Sequence, residues 1–515
     1  MGKLAAAFLL TTALTLHACA VTASEGMLAS ITAPKALDKE FLRRQCEMED
    51  AAACYLTKGE IPPLPRLPIA QGVAPADRAV FVVQLGPLAK VRYYLRQKED
   101  QSIRPLPIAK VHNREHSSFR LERIEATKLE ADKTYELLLA DLTGHLIDAR
   151  AFTPLRDGAE AFRFAFVSGA DSAAPAPEEA GIWKSLVDRK PRLLFGLGNM
   201  VATTGQAPLD PAALWDRYAD TRNALSLFRS AELIPIAATW NEQDYGTPGG
   251  KHDDRTNPHT DEARDIQEAF FPAMGDIGSV SEGPGLAKSI SLAGQTWILL
   301  DDRSFREGDA TPPACRDSPA PSCPAREASQ TGTIANFGRV QESWALEIIE
   351  NAKGPVWLLS ANPWFGAAYP TTSFEGSQPA AFANFRAQLE NSMKKAAARE
   401  GRFPLFLGSA NPFFTEARMV KPFLKSNYAA TEFSVGPIHP RQASLSLPAS
   451  LKAPVKNRAL AGRYFFFTSW PNGAGLKLSA EAVEPENRAA FELKYDAPAA
   501  YPSAKTKKRA AKKQR

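Results

Sequence analysis

Between about Ile69 and Phe152 the chain repeats short stretches in which apolar residues recur at every second position, among them "RAVFVVQL", "KVRYYLRQ", "SSFRLERIEATKL" and "KTYELLLADLTGHLIDAR". A period of two places one set of side chains on each face of a strand, so this region predicts a small antiparallel β-sandwich of immunoglobulin-like size. The pattern changes at "AFRFAFVSGADS". From there continuous apolar runs ("PRLLFGLGN", "ELIPIAATW", "QTWILLDDR", "GPVWLLSAN", "RFPLFLGSAN") alternate with amphipathic stretches such as "LDPAALWDRYADTRNALSLFRS" and "FANFRAQLENSMKKAAARE". Strands buried on both faces and separated by helices predict a layered α/β domain, with its functional residues just past the strand C-termini. The closing stretches "GRYFFFTSWPNG", "GLKLSAEAV" and "AAFELKYDA" read as antiparallel strands that complete it.

The N-terminus adds a different element. Lys3 is followed by the apolar run Leu4–Leu16, which has the length and flanks of a signal h-region and is too short for a stable membrane-spanning helix. "LHAC", Leu16 to Cys19, resembles a bacterial lipobox. Two mature starts stay open, an acylated Cys19 that anchors the chain to a membrane and a soluble product cleaved after Ala23 and Ser24. The expected location is the periplasm or the outer membrane of a bacterium. The expected segments are a leader over 1–24, a helical cap and proline-rich linker over 25–62, the β-sandwich over 63–158, the α/β domain over 159–500 and a basic tail over 501–515. Cys46 with Cys54 and Cys315 with Cys323 form two close pairs, as expected for disulfides in an oxidising compartment.

Charge changes the picture little. The seven basic residues of the tail "KTKKRAAKKQR" exceed the net charge of +5, so the rest of the chain is slightly acidic. A basic tail on an exported protein suits anionic lipid or polymer, or plain solvation, and no nucleic-acid partner is expected.

Several strand ends resemble the PhoD-like family of alkaline phosphatases and phosphodiesterases over roughly 69–497. That family carries, in order, a strand ending in Ser-Cys, a Gly-Asp, a Trp-Asp-Asp-His-Asp-Tyr-Gly, a Leu-Asp-x-Arg-x-x-Arg and a Gly-Asp-x-His. Here "FRFAFVSG" has Ser168 and then Gly169 in place of the Cys, and "GLGNMVATTG" keeps Gly198 but has Asn199 for the first Asp, with Ala202 and Thr204 at the later Tyr and Asp positions. "ATWNEQDYG" keeps Trp240, Asp244, Tyr245 and Gly246 but carries Asn241, Glu242 and Gln243. "LLDDRSFR" retains Asp301, Arg303 and Arg306, "LFLGSANPF" has Ser409 and Asn411 for Asp and His, and "AATEFSVGPIHP" resembles the segment after the last motif. The resemblance implies a metallophosphoesterase-like layered α/β sandwich preceded by the small β-sandwich.

It also implies a lost metal centre. Such an enzyme needs anionic oxygen, thiolate and imidazole ligands around its cations. Asn and Gln keep the shape of Asp and His and cancel no cation charge. The candidate site positions are therefore Asn199, Asn241, Glu242, Gln243, Asp244, Arg303 and Asn411, read as a degenerate cleft holding no metal or cofactor in an exported pseudo-enzyme that binds a ligand or serves a structural role. The alternative is a divergent metal-dependent phosphodiesterase or phosphomonoesterase with a rebuilt site, in which Glu242, Asp244, Asp301 and Glu416 hold calcium or a transition metal such as iron or zinc. Ser168 and Ser409, with His439 and His252 available, lack the "GxSxG" context of a nucleophile and read as structural serines. The polar stretch Tyr245–Asp265 reads as an exposed loop, or as a metal-binding lid through His252, Asp253, Asp254 and His259. Trp364, Phe365, Phe413 and Phe414 are candidates to line an aromatic cleft for a saccharide, peptide or anionic polymer fragment, with core packing as the alternative for each. The oligomeric state stays open.

Overall fold

The computed structural model describes residues 66–497, apart from 116, 132, 157–160, 172–175, 203–207, 248–256, 276–279, 306–334, 366–373, 375–378, 402, 425–427, 440–456 and 473–474. The leader with Cys19, the cap with Cys46 and Cys54, the Cys315 and Cys323 loop, Thr204, Arg306, His252 with its acidic neighbours, and the basic tail lie outside the described residues.

Eight strands come first: β1 (Ile69–Gly72), β2 (Arg78–Leu85), β3 (Arg92–Gln97), β4 (Ile103–Leu106), β5 (Ile108–Asn113), β6 (Arg120–Thr127), β7 (Tyr135–Ala140) and β8 (Leu146–Phe152). Then β9 (Phe162–Val167), helix α1 (Ala176–Asp188), β10 (Leu193–Leu197), α2 (Pro211–Ala224), β11 (Pro235–Thr239) and α3 (Thr260–Phe270) alternate. The second half runs β12 (Val280–Glu282), β13 (Lys288–Leu292), β14 (Gln295–Leu299), α4 (Arg339–Asn351), β15 (Val356–Ser360), α5 (Pro379–Glu400), β16 (Leu405–Ala410), β17 (Phe414–Leu424), β18 (Tyr428–Val435) and β19 (Arg458–Leu460). It closes with β20 (Tyr464–Asn472), β21 (Gly475–Val483) and β22 (Ala489–Ala497). Helix α2 begins where "LDPAAL" says it should: Pro211 takes the first helical position and the Asp210 carboxylate caps the N–H groups of Ala212 and Ala213.

Two large sheets stack face to face. One has ten strands in the order β22-β21-β20-β9-β10-β11-β1-β2-β6-β5, the other eight in the order β12-β13-β14-β15-β16-β18-β17-β19. Alternation along β9 shows why "FRFAFV" is apolar throughout. Phe162, Phe164 and Phe166 enter the core between the sheets with Trp297, Trp357, Phe433 and Phe467, while Ala165 and Val167 join Trp183, Trp215 and Phe270 on the side covered by α1, α2 and α3. Helices α4 and α5 cover the outer face of the eight-stranded sheet through Leu346, Ile349, Phe385 and Leu389. The described residues therefore form helix, sheet, sheet and helix layers.

The expected β-sandwich differs in one respect. A four-stranded antiparallel sheet, β4-β3-β7-β8, packs on β1, β2 and β6 around Phe81, Tyr93, Leu137 and Phe152. Its partner strands, however, are not a separate sheet. They continue the ten-stranded sheet through parallel pairing of β1 with β11, Gln71 opposite Pro235 and Gly72 opposite Ile236. Joining two edges this way pairs backbone N–H and C=O groups that either edge alone would leave to solvent. Gly72 permits the close fit, since a Cβ there would lie 1.9 Å from the Pro272 carbonyl oxygen.

Candidate functional site

The parallel strands β9, β10 and β11 of one sheet and β14, β15 and β16 of the other all deliver their C-termini to the same end of the molecule. Four hydrogen bonds lock the two sheets together there. Thr239 Oγ1 donates to Leu300 O (2.7 Å), Trp240 Nε1 to Asp301 Oδ1 (2.7 Å), Asn241 Nδ2 to Ala361 O (3.3 Å), and Arg303 Nη2 to Asn241 Oδ1.

Strand β10 ends on two residues with positive φ, Gly198 at 87° and Asn199 at 51°. Asn is among the few non-glycine residues that adopt this left-handed region readily. The turn brings Asn199 against the β11 loop, where its Nδ2 donates to Glu242 Oε1 (3.0 Å) and its Oδ1 accepts from the Gln243 N–H (3.2 Å). An aspartate at this position would offer only acceptors and would set a second carboxylate against Glu242. The amide is what this network requires.

Asp244 is fully buried, and its two oxygens are occupied by the backbone. Oδ2 accepts from the Asn199 and Asn241 N–H groups, and Oδ1 from that of Val201 (2.9 Å). Burial pushes its carboxyl up to about 7 against the pull of those three donors. The neighbouring oxygens are also engaged. Asn241 Oδ1 takes Arg303 Nη2 and the Glu242 N–H, while Glu242 Oε2 lies 3.4 Å from the same guanidinium nitrogen. Arg303 is itself buried.

Hydrogen bonds thus join Asn199, Asn241, Glu242, Gln243, Asp244 and Arg303 in one network, of which Asn411 is not a member. Its Oδ1 caps the N–H groups of Phe413 and Phe414, and no hydrogen bond joins it to the others among the described residues. The other carboxylates considered for a cation are engaged elsewhere. Asp301 accepts from Trp240, from the N–H groups of Leu286 and Arg303, and from Ser304, and Glu416 pairs with Arg458 at 2.7 Å. Trp364 and Phe365 are core side chains packed with Phe337, Phe374 and Phe382, so they do not line an aromatic cleft. The serines are structural: Ser168 Oγ donates to Gly198 O (3.1 Å), and Ser409 Oγ to Glu432 Oε1 (2.9 Å).

Glu432 is a buried acid that sequence reasoning passed over, outside this network. It lies in β18 opposite Leu407 of β16, accepts also from the Trp364 N–H (2.8 Å), and burial raises its carboxyl to about 7. The available signal was a lone acid in the otherwise uncharged strand "YAATEFSV". His439, weighed above as a base for the serines, is also buried. Its Nδ1 accepts from the Asp171 N–H (2.9 Å), Trp183 meets its ring edge-on, and its Nε2 is buried without a hydrogen-bond partner.

Burial drives His439 down to about 4 despite the opposing Asp171 carboxylate. The folded state holds it neutral while the unfolded chain takes a proton below about 6.5, so the stability tied to neutral His439 is complete above that value and is lost as the pH falls toward 4. Asp244 and Glu432 act oppositely, favouring the fold below the usual carboxylate range and losing that contribution as the pH rises through 7. Comparison with His439→Asn, whose Oδ1 can take the same N–H and does not titrate, isolates the histidine. Urea unfolding is expected to show the wild type losing on the order of 2 kcal/mol more than the variant between pH 7 and pH 5. Parallel pH profiles would rule this out.

No protein-family model matches the chain, and no curated protein matches it in sequence. Among solved structures, the structure of PhoD aligns with 85% of this chain and 90% of its own, at a TM-score of 0.58 and 15% identity. In fold, the chain is similar to PhoD. The likeness covers most of both chains and extends to a layered α/β architecture with an accompanying β-sheet. A cyclomaltodextrinase (12% identity, 67% of this chain and 59% of that one, TM-score 0.17) and the chitinase ChiW from Paenibacillus sp. str. FPU-7 (12%, 66% and 24%, TM-score 0.12) are too different in fold to carry an argument.

The donor set can be tested against the metal centre that a PhoD-like site implies. Among the described residues no three of His, Cys, Asp and Glu come together to hold an ion. The oxygens of Asn199, Asn241, Glu242 and Asp244 already face protein donors, and a divalent cation among them would stand beside the Arg303 guanidinium. The described residues of this network do not fit a metal.

Proposed function

We propose that this chain is a PhoD-like phosphoesterase relative that works without a metal centre, as an exported binding or structural protein of the bacterial envelope, held there by an acylated Cys19. The observation that carries the reading is the closed network at the strand ends: Asn199 and Asn241 stand where the resemblance implies acids, the Asp244 oxygens are taken by three backbone N–H groups, and one further donor is Arg303, a residue type that the family motif also carries. Its guanidinium, with the surrounding backbone N–H groups, engages the oxygens at the strand ends where a metallophosphoesterase gathers cations. A guanidinium is a fixed monovalent charge with all its protons in place, so it orients neighbouring oxygens and cannot lower the pKa of a water to make hydroxide near neutral pH, as a metal does. The hydrogen-bonded amides of Asn199 and Asn241 preserve the shape of the strand ends, which favours retention of the fold for binding or support. The ligands this reading admits are a saccharide, a peptide or an anionic envelope component.

Elemental analysis of the purified full-length protein is expected to find less than about one equivalent of iron, zinc, manganese or calcium. Assays with p-nitrophenyl phosphate and bis(p-nitrophenyl) phosphate, with each of these ions added, are expected to give no rate above that of a Glu242→Ala variant. A stoichiometric metal, or a metal-stimulated rate that Glu242→Ala removes while the fold stays intact, would overturn the proposal in favour of a rebuilt enzyme.

A further inference from the structure

A cavity lies at the opposite end of β14 and β15 from the strand-end site. It has a volume of about 730 Å³ and opens between the β12, β13 and β14 edge of the eight-stranded sheet and helix α4. That volume falls in the range of small-molecule sites, roughly 300–1,000 Å³.

Its two walls differ in chemistry. On the sheet side, the face that is apolar further in, at Ile298 and Leu358, becomes hydroxyl-bearing toward the edge. Ser281 sits directly opposite Ser289 on neighbouring strands, and Ser291 opposite Thr296. The alternate residues Val280, Ile290, Leu292 and Trp297 point into the core between the sheets, so the strands are anchored and the hydroxyl row cannot slip to the other face without exposing that core. On the helix side, Trp344, Glu347, Ile348 and Asn351 recur at the three- and four-residue spacing of a single helix face and project into the cavity. Ala345 and Ile349, on the neighbouring face, hold α4 to the sheet. Gly283 leaves room for the indole, since a Cβ there would come within 2.6 Å of Trp344 Cζ2.

Ser289 is 6% exposed, lines the cavity, and its hydroxyl makes no hydrogen bond among the described residues. Ser291 and Thr296 make only a long contact with each other, 3.4 Å. A hydroxyl donates once and accepts twice, so this wall offers both roles at closely spaced points.

We infer that this cavity binds a neutral saccharide, whose ring C–H face lies on Trp344 and Ile348 and whose hydroxyls pair with Ser289, Ser291, Thr296 and Asn351. The chemistry matches on both walls: a sugar ring is apolar across its C–H faces and carries donor-acceptor hydroxyls around its edge, and an indole beside a hydroxyl row supplies both complements. The site is independent of the strand-end network and stands whether or not that network is catalytically silent.

The test titrates the full-length protein with cellobiose and with lactose, which differ in the orientation of one hydroxyl, using saturation-transfer NMR and calorimetry. Saturation of the ring C–H protons is expected for at least one of the two. Ser289→Ala and Asn351→Ala should each weaken binding about 2- to 10-fold, and Trp344→Ala by about tenfold or more. Trp344 also packs against the core, so the serine and asparagine variants decide the matter if the tryptophan variant does not fold. No saturation transfer from either sugar, or binding unchanged in both Ser289→Ala and Asn351→Ala, would overturn the assignment. Binding lost in Glu242→Ala but kept in the cavity variants would overturn it too, while leaving the strand-end site as a binding site.

Discussion

Replacing Asp244 by alanine is expected to destabilise the fold by about 3–5 kcal/mol. The carboxylate is fully buried and accepts from three backbone N–H groups, those of Asn199, Val201 and Asn241, which belong to the loops after β10 and β11. Alanine strands all three donors at once. Each unsatisfied buried N–H costs about 1–3 kcal/mol, and partial relaxation or entry of water keeps the sum near the lower half of the total. The aspartate also sits between the Tyr218 hydroxyl, which donates to its main-chain oxygen at 2.9 Å, and the Trp240 and Tyr245 pair, so the loop has little freedom to collapse around a smaller side chain. Urea unfolding of both proteins near pH 7 measures the difference, and Asp244→Asn, which keeps one acceptor oxygen, should fall between them. A loss under about 1 kcal/mol would show that the loops hold their shape without the carboxylate.

Introducing cysteine at Gly169, the residue type that PhoD-like enzymes carry there, is expected to cost about 2–5 kcal/mol and to create no thiolate ligand. Two effects add. Gly169 has φ of 62°, in the left-handed region, where a side chain costs about 1–2 kcal/mol. A Cβ built on it would also lie 2.7 Å from both Cα and Cβ of Pro437, an overlap that forces the backbone to move at a cost of about 1–3 kcal/mol. Movement there is resisted by the Ile438 N–H to Ser168 O bond (2.7 Å) and the His439 N–H to Gly169 O bond (3.3 Å). The control is Gly86→Ala, where a Cβ meets nothing within 4 Å and the change should stay within about 0.5 kcal/mol. A folded Gly169→Cys protein of wild-type stability, with a thiol that titrates freely, would contradict the geometry. The segment carrying Pro437 has closed over the place a cysteine would occupy.

Much of the strand-end site was legible in the order of its motifs. "GLGN", "TWNEQDYG" and "LLDDR" each follow an apolar run, and side chains just past parallel strands must meet at one end of the sheet, so Asn199, Asn241, Asp244 and Arg303 were predictable neighbours. Their roles were not. A substituted Asp or His could equally have left an open cleft. What fills this one is Arg303, brought in from the other sheet, and backbone N–H groups aimed at Asp244 by the positive φ of Asn199. The aromatic residues left two roles open. Trp364 and Phe365 stand beside Asn362 in "SANPWF", where cleft lining and core packing were both readable, and helix α5 and Phe337 decide for the core, a contact between segments far apart in the chain.

By itself the sequence determined where strands and helices form and which faces they bury, because period and residue type act locally: "FRFAFV" must be a strand buried on both sides, and "LDPAAL" must start a helix. It also placed Asn199, Asn241, Asp244 and Arg303 just past buried strands. The tertiary structure decided that the β-sandwich shares its sheet with the α/β layers, that Arg303 engages the oxygens of Asn241 and Glu242, that Pro437 blocks Gly169, and that α4 faces a hydroxyl wall across a cavity. Each of these depends on strand pairing or packing between segments tens to hundreds of residues apart. Edges pair, and buried donors find acceptors, according to which backbones lie within about 3 Å, a distance set only once the two sheets have closed on their shared core.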